Sequence, residues 1–72
     1  MTLHEAMRLV LQGQPRFSAS VRMLSDEIAS AGLYRWRNGG TADAHQISAR
    51  ARRYKHLFRI AAPRVIERIA PD

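Results

Sequence analysis

The chain has no cysteine, so a disulfide framework and thiolate metal sites are both excluded. It also has no long apolar run. Leu9-Val10-Leu11 is typical, and such stretches fall far short of the roughly 20 residues a membrane span needs. The N-terminus lacks the basic-then-apolar layout of a secretory leader. The expected location is therefore the cytoplasm, with the nucleoid for any DNA-bound fraction, and no membrane partner is expected. Acid is scarce as well. Six Asp and Glu stand against twelve Lys and Arg, which leaves little scope for a carboxylate pair in acid–base chemistry. His4, His45 and His56 are far apart and form no H-x-x-x-H pattern, so no metal site is expected. The serines Ser18, Ser20, Ser25, Ser30 and Ser48 read as caps or surface residues. Asn38-Gly39-Gly40 lacks the Lys-Ser/Thr that completes a phosphate-binding loop. The expectation is a protein that is not an enzyme and carries no cofactor.

At 72 residues the chain is one domain, residues 1–72, with a thin core. Its hydrophobic content of 46% is that of a folded protein. The net charge of +6 attracts polyanions, and it is polarised along the chain. Arg35, Arg37, Arg50, Arg52, Arg53, Lys55, Arg59 and Arg64 face a single acid, Asp43, over that stretch. The N-terminal part is nearly balanced, with Arg8, Arg16 and Arg22 against Glu5, Asp26 and Glu27. Arginine dominates lysine, and its planar fork suits phosphate and guanine. The alternative is a basic surface that serves only solubility.

The spacing predicts a first helix capped by Thr2, with Glu5 completing a capping box. Leu3, Ala6, Met7, Val10 and Leu11 form its apolar stripe, and Gly13 and Pro15 end it. Gly13 to Ser20 reads as a linker whose Phe17 plugs the core. Ser18 or Ser20 caps a second helix that buries Val21, Leu24 and Ile28 with Ala31 beside them, and Gly32 ends it. Leu33 to Trp36 reads as a short extended piece, with Leu33 and Tyr34 packing inward. Trp36 either stacks on a base or covers the core edge. Asn38-Gly39-Gly40 is a turn signal. A third helix starts near Thr41 or Asp43, with Asp43 and Gln46 as a second capping box, and runs to about Tyr54. The β-branched residues Val65, Ile66 and Ile69 favour a terminal hairpin around Pro63 over a fourth helix begun by that proline. The predicted class is mainly α with a small β-hairpin, a winged helix-turn-helix of three helices plus a wing.

At 100° per residue, Ala44, Ile47, Ala51 and Tyr54 share the core side of the third helix. His45, Ala49, Arg52 and Arg53 lie opposite, with Gln46 at the edge. Arginine can donate two hydrogen bonds to guanine, and glutamine can pair with adenine. Small Ala49 lets the helix approach base edges or a thymine methyl. Asp43 either accepts from cytosine or simply caps. The base-reading candidates are thus His45, Gln46, Ala49, Arg52 and Arg53. The phosphate-contact candidates are Arg35, Arg37, Arg50, Lys55, Arg59 and Arg64, with the last two placed on the wing.

Several motifs carry a resemblance. Leu3-His4-Glu5-Ala6, Leu24-x-x-Glu27-Ile28, Gly32-Leu33-Tyr34, Asn38-Gly39-Gly40, Gln46-Ile47-x-Ala49-Arg50 and Tyr54-x-x-Leu57-Phe58 together resemble the HARE-type winged helix-turn-helix domain. That domain occurs in bacterial restriction-associated proteins and in chromatin- and RNA-polymerase-linked proteins. The resemblance implies a winged-helix fold and a link to DNA, either sensing modification or joining DNA-processing machinery to its target. Lys55 departs from the proline that often follows the tyrosine, and the tail after Phe58 lacks a glycine-rich wing turn. The partner expected is double-stranded DNA, bound by a small regulator or accessory protein. The alternatives are a protein-interaction module that docks an acidic partner or forms a homodimer, and an RNA binder using Tyr34 and Trp36.

Overall fold

A computed structural model of the chain describes residues 1–35 and 40–69. Helix α1 spans Leu3–Gln12. Thr2 caps it through the expected box: the Glu5 N–H donates to Thr2 Oγ1 at 3.3 Å, and the Thr2 N–H donates to Glu5 Oε1 at 2.9 Å. Leu3, Ala6, Met7 and Leu11 are buried, so the apolar stripe lies inward as its spacing requires.

The segment expected to be a linker contains structure. A 3-10 turn, Pro15–Phe17, leads into strand β1, Ser18–Ser20. Phe17 does not plug the core, since it is 39% exposed. Arg16 and Phe17 both take left-handed backbone, at φ 57° and 54°, and the strand that follows sends Ala19 inward instead. Three residues are too few for an alternating pattern to stand out.

Helix α2, Val21–Ser30, is capped by Ser20, whose Oγ accepts from the Met23 N–H at 3.1 Å. It buries Val21, Leu24 and Ile28. Ala31, expected beside them, is exposed at the C-cap. Gly32 has φ 64°, and its N–H donates to Ala29 while that of Leu33 donates to Ile28. This is the Schellman pattern, which a residue without Cβ adopts at low cost.

Residues 33–35 are not part of a strand, so the piece read as extended there joins no sheet over those residues. Leu33 and Tyr34 do pack against the core. Trp36, Arg37 and the Asn38-Gly39 part of the turn lie outside the described residues. Helix α3, Ala44–Arg53, is followed by strand β2, Phe58–Ala62, and strand β3, Val65–Arg68. The terminal segment is thus a hairpin, and its turn is Pro63–Arg64.

The strands form one antiparallel sheet in the order β1-β3-β2. Ala19 pairs with Ile66, and Ile66 with Ile60. A register shift between Ile60 and Ala62 marks a bulge next to the turn. The order is helix, strand, helix, helix, hairpin, a winged helix-turn-helix arrangement. Its core gathers Leu3, Met7, Leu11, Leu24, Ile28, Ile47 and Ile66, all fully buried. Each such side chain contributes about 1.5–3 kcal/mol of transfer free energy. No helix among the described residues is long and apolar enough to cross a membrane.

Candidate nucleic-acid interface

Helix α3 is placed from both ends. At its start, Asp43 and Gln46 satisfy each other: the Gln46 N–H donates to Asp43 Oδ1, and the Asp43 N–H donates to Gln46 Oε1, both at 2.9 Å. Ahead of the cap, the Ser25 hydroxyl of α2 donates to the Ala42 carbonyl at 2.7 Å, and Ala42 is buried. At the far end, Tyr54 closes the helix and stacks on His4 of α1, with ring centroids 4.2 Å apart and planes 25° from parallel. Between these anchors Ile47 and Ala51 are buried, and Ala44 and Tyr54 pack against the core.

The opposite side is open. His45, Ala49, Arg52 and Arg53 are exposed, while Gln46, Ser48 and Arg50 are half-buried at the margins. Ala49 lies in the middle of this face. Its small side chain leaves a shallow depression of about 200 Å³, lined by Gln46, Ala49, Arg50 and Arg53. No carboxylate among the described residues pairs with Arg50, Arg52 or Arg53. The three arginines occupy the last turns of the helix, where the partial negative charge of the helix end favours them. This face offers donors in excess of acceptors and no negative charge of its own.

The structure divides the sequence-derived candidates. His45, Ala49, Arg52 and Arg53 share one face, and Arg50 borders it. Gln46 borders it too, but its carbonyl is engaged in the cap. A bidentate pair with adenine uses both ends of the amide, so Gln46 holds the helix start in place. Asp43 likewise caps. Lys55 is exposed just past α3, and Arg35 is exposed ahead of it. Arg37 lies outside the described residues.

The hairpin candidates differ from each other. Arg59 faces Glu67 across the β2–β3 pair, and their side chains bond at 3.1 Å with exposures of 65% and 30%. An ion pair this exposed contributes about 0–1 kcal/mol, but it does compensate the charge. Arg64 sits in the turn at φ 65°, exposed. Its carbonyl accepts from the Val21 N–H at 2.8 Å, which fastens the turn to the start of α2. Ser25 was not legible as part of this site. Its only sequence signal is a hydroxyl next to the buried Leu24.

Among the described residues, no group of three or more His, Asp or Glu side chains is placed to hold a metal ion. No family model, no curated protein and no solved structure matches the chain.

Proposed function

We propose that this chain is a DNA-binding winged-helix module, a small regulator or an accessory to a DNA-processing or restriction-type system, without catalytic activity of its own. Helix α3 enters the major groove. Arg52 and Arg53, with His45, meet base edges around the close approach that Ala49 permits. Arg50, Lys55, Arg35 and Arg64 contact phosphate and fix the register. Arg59 is a lesser contact because Glu67 already compensates it. The single observation that carries this reading is the outward face of α3, on which cations and an imidazole surround an alanine and no carboxylate among the described residues answers them. The motif resemblance to HARE-type domains supports the same direction, and a role in the cytoplasm or on the nucleoid accords with it.

A second reading rests on strand β2. It is one of the two edge strands of the sheet and carries Ile60, 46% exposed. An open edge of this kind can pair with another strand, as a homodimer or protein-docking module would use it.

The test is a titration with random-sequence duplex DNA across about 50–200 mM salt. Replacing Arg52 and Arg53 by alanine together is expected to weaken binding about tenfold or more and to reduce the salt slope by about two. Helicity should be unchanged, and Arg22→Ala should have little effect. Binding that survives the double substitution removes α3 as the contact.

A further inference from the structure

We propose that the depression beside Ala49 takes the C5-methyl group of a thymine, and that Arg53 reads a guanine next to that thymine on the same strand. The inference rests on the reading of α3 as the groove helix and adds the base step that the helix selects. Gln46, Ala49, Arg50 and Arg53 line a depression of about 200 Å³. They stand at i, i+3, i+4 and i+7, so they bound one gap in the helix surface. Ala49 has the only short side chain among them, which makes it the low point of the gap. It is exposed and its side chain carries no hydrogen-bonding group. A polar base edge pressed there loses water and gains no partner, which is unfavourable. Thymine alone among the four bases presents a methyl in the major groove, and that methyl loses no hydrogen bond in the contact.

The rim selects the neighbouring base. Arg50 and Arg53 are donors only, and no carboxylate among the described residues pairs with either. The one side-chain acceptor on the rim is Gln46 Oε1, which already accepts from the Asp43 N–H at 2.9 Å. The major-groove amino groups of cytosine and adenine therefore meet donors here, whereas thymine O4 and guanine O6 and N7 meet the groups they need. At about 100° per residue, Arg53 lies about 40° from Ala49 on the side of the depression, and Arg52 lies about 60° away on the other side. Arg53 is thus the exposed arginine one turn along from the seated methyl. Its apolar stem covers that methyl while its planar fork donates two hydrogen bonds to the guanine. Arg52 and His45 line no part of the depression, so the two exposed arginines of this face have different parts in the contact.

The experiment selects a random-sequence duplex library on the whole chain and then titrates the selected duplex by fluorescence anisotropy. Three altered duplexes are compared with it. Deoxyuridine in place of the thymine removes only the methyl. C5-methylated cytosine in its place keeps the methyl and turns O4 into an amino group. Adenine in place of the guanine puts an amino group before Arg53. The selected duplexes are expected to share a thymine–guanine step. Binding should fall about threefold or more with deoxyuridine and about tenfold with either other change. Ala49→Gln fills the depression with a good helix former, so circular dichroism should match the native chain and the deoxyuridine effect should vanish. Arg53→Ala should remove the preference for guanine over adenine, whereas Arg52→Ala should weaken every duplex and leave both preferences in place. Duplex binding with equal affinity for thymine and deoxyuridine overturns the inference and leaves the reading of α3 standing. So does a deoxyuridine effect that survives Ala49→Gln, or equal binding of thymine and C5-methylated cytosine. No binding to any duplex, even at low salt, overturns both.

Discussion

The N–H of Val21, the first residue of α2, donates to the carbonyl of Arg64 at 2.8 Å. That bond ties the hairpin turn to the helix that supports α3. The turn, Pro63–Arg64, places Arg64 at φ 65°, a left-handed backbone that favours glycine. Arg64→Gly is therefore expected to stabilise the fold by about 0.5–1 kcal/mol, after the entropy of glycine in the unfolded chain is set against the relieved strain. For a domain of this size the melting temperature should rise by about 4 °C. Affinity for duplex DNA should fall about threefold, as expected for one lost phosphate contact. Thermal melts and a duplex titration on the same sample separate the two effects. A variant that melts lower shows that the Arg64 side chain stabilises the turn.

Ser25 and Ala42 link α2 to the entry of α3 by one partly buried hydrogen bond of 2.7 Å. Ser25→Ala leaves the Ala42 carbonyl without that donor and should cost about 1–2 kcal/mol. The start of α3 is then held less firmly, so DNA affinity should fall although Ser25 touches no nucleic acid. Denaturant unfolding gives the first effect and anisotropy titration the second. Loss of stability with unchanged affinity shows that the α3 cap alone fixes the helix.

Glu5 has its carboxyl held below the ordinary value of 4.5, first by the backbone N–H of Thr2, then by the Thr2 hydroxyl, with a smaller contribution from His4. A carboxyl lowered in the folded state contributes stability above its unfolded value and loses it as pH falls through the folded value. Stability should therefore drop as pH falls below the ordinary value of 4.5, more steeply in the native chain than in Glu5→Gln. The glutamine keeps the capping box but not the charge whose stabilisation the lowered carboxyl reports, so the variant should melt below the native chain near neutral pH and converge with it in acid. Parallel melts at several pH values check this, and equal acid slopes place the loss elsewhere.

How much of this was legible beforehand follows from how long each signal runs. The three helices announce themselves because caps and apolar spacing agree: Thr2 with Glu5, Ser20 before Val21, and Asp43 with Gln46. The hairpin is legible from Val65 and Ile66 after Pro63. Strand β1 is not, because only Ala19 of its three residues turns inward, and its pairing with Ile66 is a long-range fact. Phe17 misleads for a related reason, since its large apolar side chain follows a left-handed backbone that keeps it out of the core. In the candidate site, the outward placement of Ala49, Arg52 and Arg53 follows from the 3.6-residue repeat alone. The engagement of Gln46 by its own cap, and of Arg59 by Glu67, depends on which rotamer and which strand partner each side chain finds. Sequence spacing does not carry that information.

The central claim is that the outward surface of α3 meets a polyanion. The most direct measurement is a map of backbone amide shifts on adding duplex DNA. The account predicts the largest changes at His45, Ala49, Arg50, Arg52 and Arg53, with smaller ones at Lys55 and Arg64 and almost none at Arg8, Leu9 and Gln12 on α1. Changes concentrated on α1 or along β2 with α3 silent, or no changes at low salt, would contradict it.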